Sequence, residues 1–447
     1  MQKKSRGALP MVQLALPLAG EQLLRIVVSL VDTFMLSTYC EEAVAGVGLV
    51  SQYIFFLQIL FNIVVIGSSI VLAQYLGAER SKEELNNIAK ASVIMVLLLA
   101  VVLTLAVFFG TPLLLGCYKL EDRVRSFASQ YFLIFGGAGA IFNAVSLLQS
   151  SILRCYGYTR QTLVVTLVAN LINVVGNALS LYGWFGLPVL GVPGVAGASL
   201  LSTAVSCVIL GFMIKRRKDI CFNLEKLFSV PKRVFTTILR VGIPTAGENL
   251  SYNVSQIFIM AMISSLGTYA MDAQVYTNTL ARFVFIIAIG IGAAVQIKTG
   301  YYVGAGESET AYRKVFKYGL CATCASVLLV LLLNLVKGPA IGIFTKNEEI
   351  IGMVSKVLII SILLEFGRSL NLIYVGALKG AGDIRFPVLY GMFSNWCIMV
   401  LGAWILGIKL GYGIYGCFFG IALDETTRGF VMLLRWKSKR WMTKALV

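Results

Sequence analysis

An aspartate at position 32 interrupts an apolar stretch that is otherwise long enough to cross a bilayer as a helix. Near the middle of a membrane helix a charged side chain costs about 2.5–3.5 kcal/mol on insertion scales, so it faces protein or water. Glu21 and Arg25 lie 11 and 7 residues before Asp32, separations that nearly close whole helical turns and gather the segment's charge on one stripe. Glu21 and Arg25, four apart, are spaced to neutralise each other, whereas Asp32 has no equally close partner in its own helix. Asn170, Asn173 and Asn177 share one face of a later segment, at separations of 3 and 7. Carboxamides can hold a protonated carboxyl or lend oxygens to sodium. Asp32, Asn173 and Asn177 are therefore candidate ion-coupling residues and candidate sodium ligands, with hydrogen bonding between helices as the plainer role of the asparagines.

The second half of the chain carries a different set. Glu365 and Arg368 are three apart, and Asp424, Glu425 and Arg428 fall within about one turn. Glu248, Arg282 and Lys298 add further charge to apolar surroundings. Opposite signs at these spacings describe a paired network, which either locks helices together or meets substrate. A carboxylate left partly unpaired there would attract a cation. Histidine is absent, which removes imidazole as base, relay or metal ligand. Nine cysteines fall mostly in apolar segments, and the one C-x-x-C, Cys321 to Cys324, has no second pair, so they are read as small buried hydrophobes. No cofactor is expected, and no soluble catalytic loop is evident.

The elements that must position these residues are membrane helices. Of 447 residues, 58% are hydrophobic and 13% charged, and apolar runs of about 20 residues recur. About twelve spans are expected: roughly 11–35, 44–75, 91–115, 128–153, 161–186, 190–214, 236–265, 273–303, 314–336, 352–378, 386–408 and 412–434. A net charge of +17 would suit nucleic acid, but Lys and Arg gather at alternate span ends and no polar folded region exists to bind it. They occur in KKSR near the start, in AERSKEE, at Arg154 and Arg160, in the KRRK run, at Lys379 and Arg385, and in the RWKSKRW tail. By the positive-inside rule both termini and the central linker are cytoplasmic in a plasma-membrane protein. The first apolar stretch lacks a clear cleavage site and reads as a retained span. Membrane lipid and small organic molecules are the expected partners of a monomer.

The chain also repeats itself. Pro17, Gly20 and Glu21 in LPLAGEQLL recur 227 residues later as Pro244, Gly247 and Glu248 in IPTAGENLS. The same offset takes Tyr75 to Tyr302, Gly77 to Gly304 and Ser81 to Ser308. A second register takes Leu153, Arg154, Gly157 and Arg160 to Leu378, Lys379, Gly382 and Arg385. Asp32 breaks the match, for its counterpart is Ile259. The basic segment 215–235 separates residues 1–214 from 236–447, each with six spans, so the expected fold is all-α and polytopic. Repeats with an even number of spans enter from one side and are related by a pseudo-two-fold axis along the membrane normal.

At these residues the chain resembles the multidrug and toxic compound extrusion (MATE) family. The likeness rests on the first-span pattern through LVDTFML, the LAQYLGAE and TGYYVGAGE span endings, and the LRCYGYTR and LKGAGDIRFP connections. The resemblance implies two six-helix lobes around a central cavity, with an ion-linked acidic site in the N-terminal lobe. It also implies a secondary antiporter that exports organic, cationic amphipathic compounds on a proton or sodium gradient. Asp32 matches the family's first-span aspartate, and Ser202 stands where the family often has threonine, so it joins the candidate ion site. Asn177 replaces an aspartate of some members, and Tyr252, one turn after Glu248, falls near a glutamate of another branch. Glu21, Arg25, Glu248, Tyr252, Arg282, Glu365, Arg368, Asp424, Glu425 and Arg428 form the candidate substrate or charge network. Pro17 removes a backbone donor and is the expected bending point. A lipid-linked oligosaccharide flippase of related fold, or a polytopic membrane enzyme, are the alternatives.

Overall fold

The computed structural model describes residues 10–447 apart from 187, 221, 224–226 and 228. The basic KKSR segment and those parts of the linker lie outside the described residues. Twelve long helical segments follow in chain order: α1 Met11–Tyr39, α2 Glu41–Gly77, α3 Lys82–Gly116, α4 Asp122–Cys155, α5 Thr159–Tyr182, α6 Gly191–Arg216, α7 Lys232–Ser264, α8 Thr268–Gly304, α9 Ser308–Leu335, α10 Glu348–Gly380, α11 Arg385–Lys409 and α12 Gly413–Lys437. Ten are long and apolar enough to cross a membrane; α7 and α12 fall outside those ten. The reason is their charge, since α7 carries Arg240 and Glu248, and α12 carries Asp424, Glu425 and Arg428.

Local chemistry ends and starts these helices. Ser81 caps α3 in a reciprocal box with Glu84, and the Asn347 side chain accepts from the first free amides of α10. Gly183 closes α5 with a left-handed φ of 61°, a conformation that a side chain would strain. α4 and α11 widen into π-helical turns at Phe132–Ala138, Asn395–Val400 and Trp404–Lys409.

The chain forms two compact units. One comprises Gly20–Leu72 and Arg80–Ile243; the other joins the chain up to Ala19 and the segment Ala73–Glu79 to Pro244–Val447. In the first, Met35 and Leu36 of α1 pack into a core with α2, α4, α5 and α6. In the second, Ile259 and Ile263 of α7 occupy the corresponding place in a core with α8, α10, α11 and α12.

Within the second unit the repeat is visible as a symmetric crossing. A Cβ added at Gly77 would collide with the Tyr301 carbonyl, and one added at Gly304 would collide with the Gln74 carbonyl. Both members of the first contact are shifted by 227 residues to give the second, so each copy presents the same patch to the other. Gln74 itself is buried, donating to the Gly380 carbonyl at 2.8 Å and accepting from the Leu446 amide at 2.7 Å.

Candidate functional site

The first unit assembles a polar cluster from three helices. Asn177 Nδ2 donates to Asp32 Oδ1 at 2.8 Å and lies 3.4 Å from Asn173 Oδ1. Asn173 Nδ2 donates to Ser199 Oγ at 3.0 Å, and the Ser202 hydroxyl donates to the Ser199 carbonyl at 2.9 Å. The phenol of Tyr131 on α4 faces both Ser199 and Asp32. Asn173, Asn177 and Ser202 are buried while Asp32 is half-buried, so the carboxylate is the accessible member. Asn177 Oδ1 is buried and unpartnered. An orphaned amide oxygen beside a carboxylate and a second amide oxygen is an arrangement able to accept a proton donor or a hard cation. Asn170 donates weakly to the Leu24 carbonyl at 3.5 Å, outside the cluster. Helical spacing put Asn173 and Asn177 on one face and the chemistry of carboxamides suggested Asp32 as their partner; Ser199 and Tyr131 were missed, because hydroxyls in apolar helices are too common to stand out.

Glu21 differs from its expected pairing. Its two oxygens are engaged by Arg154 of α4 and by the Thr162 hydroxyl of α5, in short contacts. Arg25 makes no ion pair or hydrogen bond among the described residues. The second unit repeats this device. Lys379 Nζ of α10 bonds Glu248 Oε2 of α7 at 2.6 Å, and both residues are buried. Glu21 corresponds to Glu248 and Arg154 to Lys379, so the two copies share one interhelical ion pair. The signal was present in the two repeat registers, each of which supplied one partner.

The remaining charges of the second unit form a network. Arg368 Nη1 donates to Glu365 Oε1 at 2.6 Å, and its Nε is 3.7 Å from Glu425 Oε1. Asn371 Nδ2 donates to Glu425 Oε2 at 2.8 Å. Asp424 receives Arg428 and the Ser394 hydroxyl, and Arg428 also reaches Asn395 Oδ1. Lys298 lies apart, its ammonium 5.7 and 5.8 Å from the rings of Tyr302 and Tyr318. Each of Glu248, Glu365, Asp424 and Glu425 thus has a cationic partner, although the second oxygen of Glu365, Oε2, is buried without a hydrogen-bond partner.

Beside this network is a cavity of about 170 Å³. Its polar wall consists of Tyr252 and Gln256 from α7, Gln274, Asn278 and Arg282 from α8, and Arg368 from α10. The Arg368 guanidinium lies 4.6 Å over the Phe285 ring. Tyr252, Arg282 and Arg368 are therefore brought together, while Glu365, Asp424, Glu425 and Arg428 stand behind the wall.

Relatives of the chain agree with this architecture. The sequence profile of the family described as MatE matches residues 17–179 and again 244–405, starting both times at a proline of the repeat. The chain is 33% identical over 415 residues to the uncharacterized transporter YisQ of Bacillus subtilis (strain 168), covering 93% of this chain and 91% of that one. It is 27% identical over 438 residues to a probable multidrug resistance protein NorM of Thermotoga maritima, covering 98% and 94%. The fold matches a solved outward-facing multidrug resistance MATE transporter with a TM-score of 0.86 at 21% identity, over 96% of this chain and 95% of that one. Duplicated ion pair, one-sided aspartate, all-helical membrane fold and a profile that matches twice converge: the chain belongs to the MATE family of multi-pass membrane transporters.

Proposed function

We propose that this transporter is an antiporter that exports organic amphiphiles from the cytoplasm across the plasma membrane on a proton or sodium gradient, with Asp32 as the coupling carboxylate. The observation that carries this reading is the hydrogen bond from Asn177 Nδ2 to Asp32, with the Asn177 amide oxygen buried and unpartnered, at a position where the second copy has Ile259. The architecture accommodates an apolar residue there, so the carboxylate serves a purpose that the fold does not require. Loading by a proton turns the Asp32 oxygen into a donor that the Asn177 carbonyl can accept. Loading by sodium instead gathers the Asp32 carboxylate with the amide oxygens of Asn177 and Asn173, an all-oxygen donor set suited to a hard cation. Either event rearranges the hydrogen bonds that tie α1 to α5. Pro17, which lacks a backbone donor within α1, is where that helix gives way.

In this reading residues 1–214 and 236–447 act as two lobes of a monomer related by a pseudo-two-fold axis along the membrane normal, with both termini inside the cell. A cysteine replacing Lys218 in a cysteine-free background then resists impermeant thiol reagents in intact cells and reacts after permeabilisation. Labelling in intact cells would reverse the orientation.

The coupling role is tested with purified Asp32→Asn protein in liposomes. The variant keeps size and hydrogen bonding but cannot titrate, and it loses the anionic charge a cation needs. Gradient-driven export of a fluorescent amphiphile falls to background while the thermal unfolding midpoint stays within a few degrees of wild type. Export at the wild-type rate would end the assignment. Running the assay under a pH gradient alone and then a sodium gradient alone identifies the ion.

A further inference from the structure

We infer that the cavity beside α7, α8 and α10 is a binding site for the anionic head of an amphipathic organic compound, with Arg282 as its principal recognition residue. This site rests on the exporter reading and names a substrate class for it: compounds bearing a carboxylate or sulfonate on an aromatic body. The argument begins with what reaches the cavity surface. Among the described residues no carboxylate lines it, whereas two guanidinium groups do, those of Arg282 and Arg368. Glu365 is fully buried and Glu425 nearly so; neither lines the cavity, Glu365 accepts from Arg368 Nη1, and Glu425 Oε1 lies 3.7 Å from Arg368 Nε. A cation entering the cavity meets two positive charges and only neutral acceptors.

The two arginines have different roles. Arg368 is committed to Glu365 at 2.6 Å and stacked on Phe285, so it forms a fixed cationic wall. Arg282 makes no hydrogen bond or ion pair among the described residues, and its side chain is exposed to the cavity. It sits midway along α8, where an arginine turned to lipid would be costly, so a water-filled cavity is its natural environment. Its planar fork offers paired donors that match the two oxygens of a carboxylate. Neutral donors and acceptors surround it, for Gln274 and Asn278 precede it on the same helix and Tyr252 and Gln256 face it from α7. Phe285 and Phe418 supply the apolar side against which an aromatic body can lie. A cavity of mixed apolar and neutral polar lining with one uncommitted guanidinium selects for negative charge.

The experiment is equilibrium binding to the purified full-length protein in detergent, without any ion gradient, using 2-naphthoate, 2-naphthamide and 2-naphthylmethylammonium as probes. Wild type binds the carboxylate at least tenfold more tightly than the amide or the ammonium compound. Arg282→Gln weakens carboxylate binding about 10- to 100-fold, the loss of a hydrogen-bonded charge pair, and leaves the amide unchanged. Arg282→Lys retains charge but not the fork and falls between. Arg282→Glu reverses the preference, so that the ammonium probe binds best, a gain that misfolding cannot imitate. Equal affinity for all three probes, tighter binding of the ammonium compound by wild type, or an Arg282→Gln variant that binds the carboxylate as wild type does, would overturn the assignment. Because no gradient is imposed, loss of this site leaves the Asp32 coupling test untouched, and failure of that test leaves the binding result standing.

Discussion

α1 and α7 are two copies of one helix that have kept one charge and lost another. In both copies a glutamate soon after a proline reaches a basic residue near the end of the fourth helix of its half: Glu21 to Arg154, Glu248 to Lys379. Eleven residues further along, the first copy carries Asp32 against Asn177, while the second carries Ile259 with no exposed surface, packed in the apolar core. What the copies share is explained by assembly, since a buried pair fixes which helices meet and at what height. What they do not share is what the proposed coupling role of Asp32 would account for. A duplicated chain thus separates scaffold from chemistry without recourse to any other sequence.

That contrast can be broken most severely at Ile259. Ile259→Asp places a carboxylate in a fully buried apolar cluster with no cation supplied for it, and should cost several kcal/mol and most of the yield of folded protein. The mirror exchange, Asp32→Ile, keeps the fold and removes coupling. Thermal unfolding of the two purified variants decides the matter, and an Ile259→Asp protein as stable as wild type would mean that the second core tolerates a carboxylate as the first does, which removes the contrast.

The shared pair sharpens the comparison at a smaller scale. Lys379→Met leaves Glu248 buried and alone, which should destabilise by about 3–5 kcal/mol, and adding Glu248→Gln should recover much of it. Arg154→Met should cost less, about 1–3 kcal/mol, because the Arg154 side chain is 23% exposed and Thr162 still bonds Glu21. Denaturation midpoints of the three variants in one detergent measure both steps. Equal losses in the two halves would show that the partial exposure of Arg154 and the Thr162 bond carry no weight.

The helices, the repeat and the family were legible because each is a long pattern: apolar runs, a register held over tens of residues, motifs that occur twice. Asn173 and Asn177 were legible as a pair because 3.6-residue periodicity fixes which side chains share a face, and Asp32 because it is a lone acid in an apolar span; their meeting across two helices is interhelical packing. Interhelical choices were less so. In sequence, Arg25 is the nearest cation to Glu21, and only tertiary packing prefers Arg154, which brings the help of Thr162. The same limit applies to the second half, where spacing gave the Glu365–Arg368 pair but could not show that these acids turn away from the cavity. Charge alone suggested a cation there; in the structure Arg368 lines the cavity and its partners Glu365 and Glu425 do not.

The crossing of Gly77 and Gly304 has a consequence for the history of such a chain. Each glycine makes room for the other copy's backbone, so a side chain gained in either copy is felt as a collision by both. Duplicated segments are usually free to drift apart once one of them suffices. Here the freedom that let positions 32 and 259 differ stops short, and the two copies must inherit that junction jointly.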